Sequence, residues 1–77
     1  VLKADGYILR NKIGRTARML RQARGWTQLQ LAQRLRTSRA AVSNLERGEK
    51  LPTIETLRRL AKSLEVPARV VLRLSEY

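Results

Sequence analysis

The sequence predicts an all-α fold, one compact domain of five helices, on three observations. Apolar residues recur at i, i+3 and i+4 in successive stretches, the spacing of a single buried helix face. Thr27, Ser38 and Thr53 stand just ahead of three of those stretches, where a side-chain oxygen can accept from an orphan backbone N–H. Only residues 36–38 separate the second stretch from the third, and so short a connection forces two helices to cross steeply. The chain has 77 residues, one domain's worth. Hydrophobic residues make up 43%, which suffices for one core, and aromatics only 4%, so that core must be aliphatic.

Residues 1–12 stand apart from the domain proper, residues 13–77. Tyr7, Ile8 and Leu9 are apolar, but Asp5-Gly6 reads as a turn. An arm, a short lead-in helix and an extended segment all fit. The first helix then covers residues 13–24, with Ile13, Ala17 and Leu20 as its buried stripe. Arg15, Arg18, Arg21 and Arg24 recur every third residue. At 3.6 residues per turn they cannot all share one face, so one of them should point inward. Gly25 is placed to end this helix, and Trp26 reads as a core plug under the start of the second. Its indole N–H then needs a partner or partial exposure.

The second helix covers Gln28–Leu35, capped by Thr27. Leu31, Ala32 and Leu35 share one face, and the small Ala32 lets a neighbour approach closely. Leu29 should be half exposed, and Gln30 and Arg34 solvated. The third helix covers residues 39–47, capped by Ser38, with Gly48 just past its end where a left-handed residue is easiest. Val42 and Leu45, with Ala41 beside them, face inward. Arg39, Ala40, Ser43, Asn44 and Arg47 face outward. That face has hydrogen-bonding groups, a cation at each end and no acid. An α-helix fits the DNA major groove, where Arg and Asn pair bidentately with guanine and adenine edges.

The fourth helix covers Ile54–Leu64, capped by Thr53 without a capping box. Ile54, Leu57, Leu60, Ala61 and Leu64 form a wide stripe that should close the core over the first helix, leaving Arg58, Arg59 and Lys62 outward. Val66-Pro67 leads into the fifth, Ala68–Leu74, since Pro is well tolerated at a helix start. Val71 and Leu72 should close the core. Val70, Leu74 and Tyr77 are more apolar than a short terminal helix needs, and they point to a dimer contact.

Residues 27–48, TQLQLAQRLRTSRAAVSNLERG, carry a family resemblance. The pattern TQxxLAxxLxxSxxxVSNLERG resembles the helix-turn-helix of the phage-repressor family, the lambda-repressor/Cro-like or Xre-type domains. The likeness runs from about Ile13 to Leu72. It implies that the third helix is the recognition helix, with Arg39, Ala40, Ser43 and Asn44 at the bases. Arg39 ranks first because the first turn enters the groove deepest. Ala40 can offer a thymine methyl only a methyl of its own. The resemblance implies backbone phosphate contacts from Gln28, which sits at a helix N-terminus suited to an anion. Thr27, Ser38, Arg47, the Gly48 N–H and Lys50 join it as expected phosphate contacts, with Glu49 facing away. As an arm, residues 1–12 could add Lys3, Arg10 and Lys12. The resemblance also selects Arg21 to pair with Glu46, an acid beside the core residue Leu45 that would be costly to leave unpaired. Arg36 and Glu65 stand where the family usually has Gly at a helix end. If they adopt positive φ, each costs on the order of 1 kcal/mol.

Composition agrees with that direction. The formal net charge is +11, from 17 Lys and Arg against 6 Asp and Glu, a balance that calls for a polyanionic partner or an anionic surface. Cysteine and histidine are both absent, which removes disulfides, the usual zinc sites and Cys- or His-based catalysis. No metal and no cofactor are expected, and an enzyme has no support in the residues. No apolar run nears the ~18–20 residues of a membrane span, and a cytoplasmic location is expected. The leading reading is a sequence-specific transcriptional regulator, a repressor that binds double-stranded DNA as a homodimer on a palindromic operator. One alternative is the antitoxin of a toxin–antitoxin pair, holding a toxin on another surface. Another is a nucleic-acid-coating module without base preference.

Overall fold

Thr27, Ser38 and Thr53 each cap a helix. Their hydroxyls accept from the backbone N–H of Gln30 at 3.1 Å, Ala41 at 3.0 Å and Thr56 at 3.1 Å. In the computed structural model, which describes residues 2–75 and side chains from Ile8 onward save that of Leu74, these caps delimit five helices. They are α1 (Leu2–Ala23), α2 (Gln28–Leu35), α3 (Arg39–Glu46), α4 (Ile54–Leu64) and α5 (Ala68–Leu74). No helix among the described residues is long and apolar enough to cross a membrane.

The helix ends need left-handed residues, and the chain supplies them. Gly25 has φ 73° and Gly48 φ 70°, at no steric cost. Arg36 at φ 58° and Glu65 at φ 59° do the same work with a Cβ in place. Arg36 closes α2 by donating its N–H to Ala32 and Gln33 carbonyls, and Glu65 closes α4 on those of Ala61 and Lys62. The expected positive φ is present at both sites.

The core is aliphatic and continuous. Ala17 of α1, Leu31, Ala32 and Leu35 of α2, Val42 of α3, Leu60, Ala61 and Leu64 of α4, and Val71 of α5 form one cluster. Trp26 is half-buried and packs against its edge, as do Leu20, Leu45 and Leu57. Ser75 is buried where α5 meets α1. Its hydroxyl donates to the Val71 carbonyl at 2.7 Å and lies 3.1 Å from the Thr16 hydroxyl, whose own hydrogen can donate back.

For residues 2–12 the structure takes one of the three open alternatives, the lead-in helix, since α1 begins at Leu2 and runs unbroken into the first helix. A single Gly in a helix costs about 1 kcal/mol, which the rest of the segment outweighs. Several expectations are corrected. Ile54 is 71% exposed and Leu72 41%. Ile54 opens the first turn of α4, where the stripe overhangs its neighbours. Leu72 sits about 100° round the helix from the buried Val71, away from α1. Gln30 is not merely solvated. Its side-chain oxygen accepts from the Thr27 N–H at 2.8 Å, completing a capping box. Nor is Arg34 free in solvent, since its guanidinium lies 4.0 Å from the centre of the Trp26 ring.

Candidate nucleic-acid interface

α3 turns its two sides to different worlds. Val42 is 1% exposed on the inner side. Arg39, Ala40 and Asn44 are exposed on the outer side, with Ser43 partly so. The four residues expected at the bases therefore lie together on one solvent-facing helical surface.

A hydrogen-bonded chain runs from the interior to that surface. The Arg21 guanidinium donates through Nε to Glu46 Oε2 at 2.6 Å and through Nη2 to Oε1 at 3.1 Å. Its Nη1 donates to the Trp26 carbonyl at 2.7 Å. Both side chains are withdrawn from water, at 9% and 2% exposure. Gln28 then donates from Nε2 to Glu46 Oε1 at 3.1 Å and accepts from Arg39 Nη1 at 3.2 Å. The amide fits one way only, because a carboxylate accepts and a guanidinium donates. The buried ion pair that the resemblance selected is thus present. It extends, through Gln28, to a tether on the first-ranked base-reading candidate. The resemblance already implies that Gln28 supports the recognition helix; that Arg39 is the side chain it holds was not legible, since the two lie in different helices.

The expected phosphate contacts divide. Thr27 and Ser38 accept with their oxygens in capping and keep a hydroxyl hydrogen for an outside acceptor. Gln28 keeps its second amide hydrogen. Lys50 is exposed beyond α3. Arg47 is engaged locally, donating to Asn44 Oδ1 at 2.7 Å and lying 3.3 Å from Glu49. Glu49 was expected to face away, but it sits on that cation. Gly48 corrects its expectation too. Its N–H donates to the Leu45 carbonyl at 3.1 Å, and the residue is buried against Asn11, so this donor is not left for phosphate.

Two glycines set how close α1 comes to the end of α3. A Cβ on Gly14 would collide with the Leu45 carbonyl oxygen and lie 2.7 Å from that of Glu46. A Cβ on Gly48 would collide with the Asn11 side chain. Only the lone Gly inside a helical stretch could have signalled the first of these. Of the expected dimer contacts, Val70 is half-buried on α5, while the Leu74 side chain and Tyr77 lie outside the described residues.

The family described as Helix-turn-helix matches residues 18–71, which span every residue named above for the interface except Asn11, Gly14, Leu74 and Tyr77. Over 52 residues, 68% of the chain, it is 42% identical to the HTH-type transcriptional regulator SutR of Escherichia coli (strain K12). Over 64 residues, 83% of the chain, it is 41% identical to the competence pilus inhibition repressor of Acinetobacter baylyi. The match covers 29% of the length of the first and 58% of the second. Among solved structures, the clp gene regulator ClgR of C. glutamicum superposes with a TM-score of 0.84 at 32% identity, covering 88% of either chain. The restriction-modification controller protein C.AhdI of Aeromonas hydrophila gives 0.82 at 31% identity, covering 87% of this chain and 97% of that one.

Proposed function

The chain belongs to the helix-turn-helix family, and from that premise we propose that it is a DNA-binding transcriptional regulator that represses by reading a two-fold operator as a homodimer. Base discrimination comes from Arg39, Ser43 and Asn44, with Ala40 against a thymine methyl. Each good bidentate pair contributes roughly 1–3 kcal/mol of discrimination. Thr27, Gln28, Ser38, Arg47 and Lys50 hold phosphates and fix the register of α3 without carrying sequence information. Arg47 reaches its phosphate by exchanging Glu49 for it. Counterion release around these cations makes the affinity fall with salt.

The observation that carries the reading is the tether on Arg39. Its guanidinium is held through Gln28 to a buried carboxylate, so the first-turn reader is oriented before DNA arrives. One short helix reads only a few base pairs, and two copies on half-sites about one helical turn apart supply the rest. Val70, Leu74 and Tyr77 at the α5 end are the proposed pairing surface. One relative is itself called a repressor, and occlusion of a promoter is the simplest action for such a dimer. Its place of work is the cytoplasm, on the chromosome.

Selection of bound sequences from a random duplex pool tests this directly. A two-fold consensus with half-sites about one turn apart is expected. Enrichment of no sequence over random competitor at physiological salt would reduce the protein to a non-specific coat.

A further inference from the structure

A second concentration of positive charge lies away from α3. The C-terminal ends of α2 and α4 enclose an open groove of about 670 Å³ whose lining includes no residue of α3. Arg34, Arg36, Arg59 and Lys62 surround it, against Glu65 as its one acid. That acid is directed elsewhere, onto Arg24 at 3.4 Å. Arg59 is steadied by Glu55 at 3.5 Å, and Arg34 is laid across Trp26. Arg36 and Lys62 have no such partner among the described residues.

Cations in the last turn of a helix offset its dipole, which accounts for Arg34 and Lys62 taken singly. It does not account for Arg36. That residue sits beyond the end of α2 at φ 58°, where Gly would be easier, and brings a guanidinium to a wall that is already basic. Arg59 lies in the middle of α4, outside the reach of the dipole. Four exposed cations thus border one groove.

We propose that this groove binds an extended acidic segment of a partner protein. An extended acidic peptide carries carboxylates spaced along one strand, which suits an open groove bordered by four cations drawn from two helices. Arg34 and Arg36 offer planar forks that match carboxylates in bidentate fashion. A regulator on its operator could thereby hold a protein at a groove whose lining draws on no residue of α3.

The test uses a short fluorescein-labelled oligoglutamate peptide and fluorescence anisotropy at physiological salt. Saturable binding is expected, with amide shifts in NMR centred on residues 34–36 and 62–65. The double substitution Arg36→Gly with Lys62→Gln should weaken the peptide roughly tenfold. Gly suits the left-handed position, so folding is safe, and circular dichroism checks it. Binding of the selected duplex should change by less than about threefold, as expected for charges removed outside its contacts. Three results would overturn the proposal. They are no saturable binding, shifts centred on α3 with affinity indifferent to the two substitutions, or tighter binding of oligothymidylate than of oligoglutamate in this groove.

Discussion

Replacing Glu46 with Gln probes both the fold and the reading surface. The substitution keeps the shape of the side chain and removes its charge. Arg21 would then sit at 9% exposure without a counter-ion. Glu46 accepts three hydrogen bonds, two from Arg21 and one from Gln28, and a Gln can accept them at one oxygen only. Removing one partner of a buried pair costs about 3–5 kcal/mol, and the retained amide oxygen puts this case near 3. A chain of 77 residues holds roughly 4–12 kcal/mol in total, so the loss is a large share. Trp26, the only Trp, accepts from Arg21 through its carbonyl and reports unfolding by fluorescence. With m near 1–1.5 kcal/mol/M for a small domain, the urea midpoint should fall by about 2–3 M. The double variant Arg21→Met with Glu46→Leu should regain most of that loss, because an apolar pair leaves no charge stranded. A single-variant cost under about 1 kcal/mol, or a double variant no better than the single, would refute the account of a desolvated pair.

Four further outcomes are expected. Arg36→Gly should raise stability by about 0.5–1 kcal/mol, read as a higher thermal midpoint, since it relieves a left-handed Cβ. Gly14→Ala should lower the midpoint although Ala favours helix by about 1 kcal/mol, because the new methyl meets α3 carbonyl oxygens. Arg39→Ala should relax preference at one position of each half-site in competition against operator variants, whereas uniform weakening across the panel would assign Arg39 to phosphate. Lys50→Ala should weaken all duplexes alike and lower the salt slope of binding by about 1.

The elements were readable because their signals are local. Thr27, Ser38 and Thr53 precede apolar stripes, and periodicity alone brings Leu31, Ala32 and Leu35 onto one face. Locality also explains the misses. Whether residues 2–12 stay helical depends on what covers them. Asn11 and Gly14 find their neighbours at the end of α3, far along the chain. Ile54 and Leu72 obey the stripe but lie past the surfaces they would cover. The Thr27–Gln30 capping box is a local feature too, a Thr and a Gln three residues apart at the start of α2.

Charge, caps and the 3.6-residue period are carried by residues within a turn or two of one another, so the chain by itself determined an all-α basic domain with one outward polar helix in its middle. Long side chains choose partners only after the helices have crossed. The path from Arg21 through Glu46 and Gln28 to Arg39 joins three helices, and the groove between α2 and α4 draws its cations from two. Those arrangements belong to the tertiary structure, because only packing brings distant guanidinium and carboxylate groups to hydrogen-bonding distance and removes the water that would otherwise separate them.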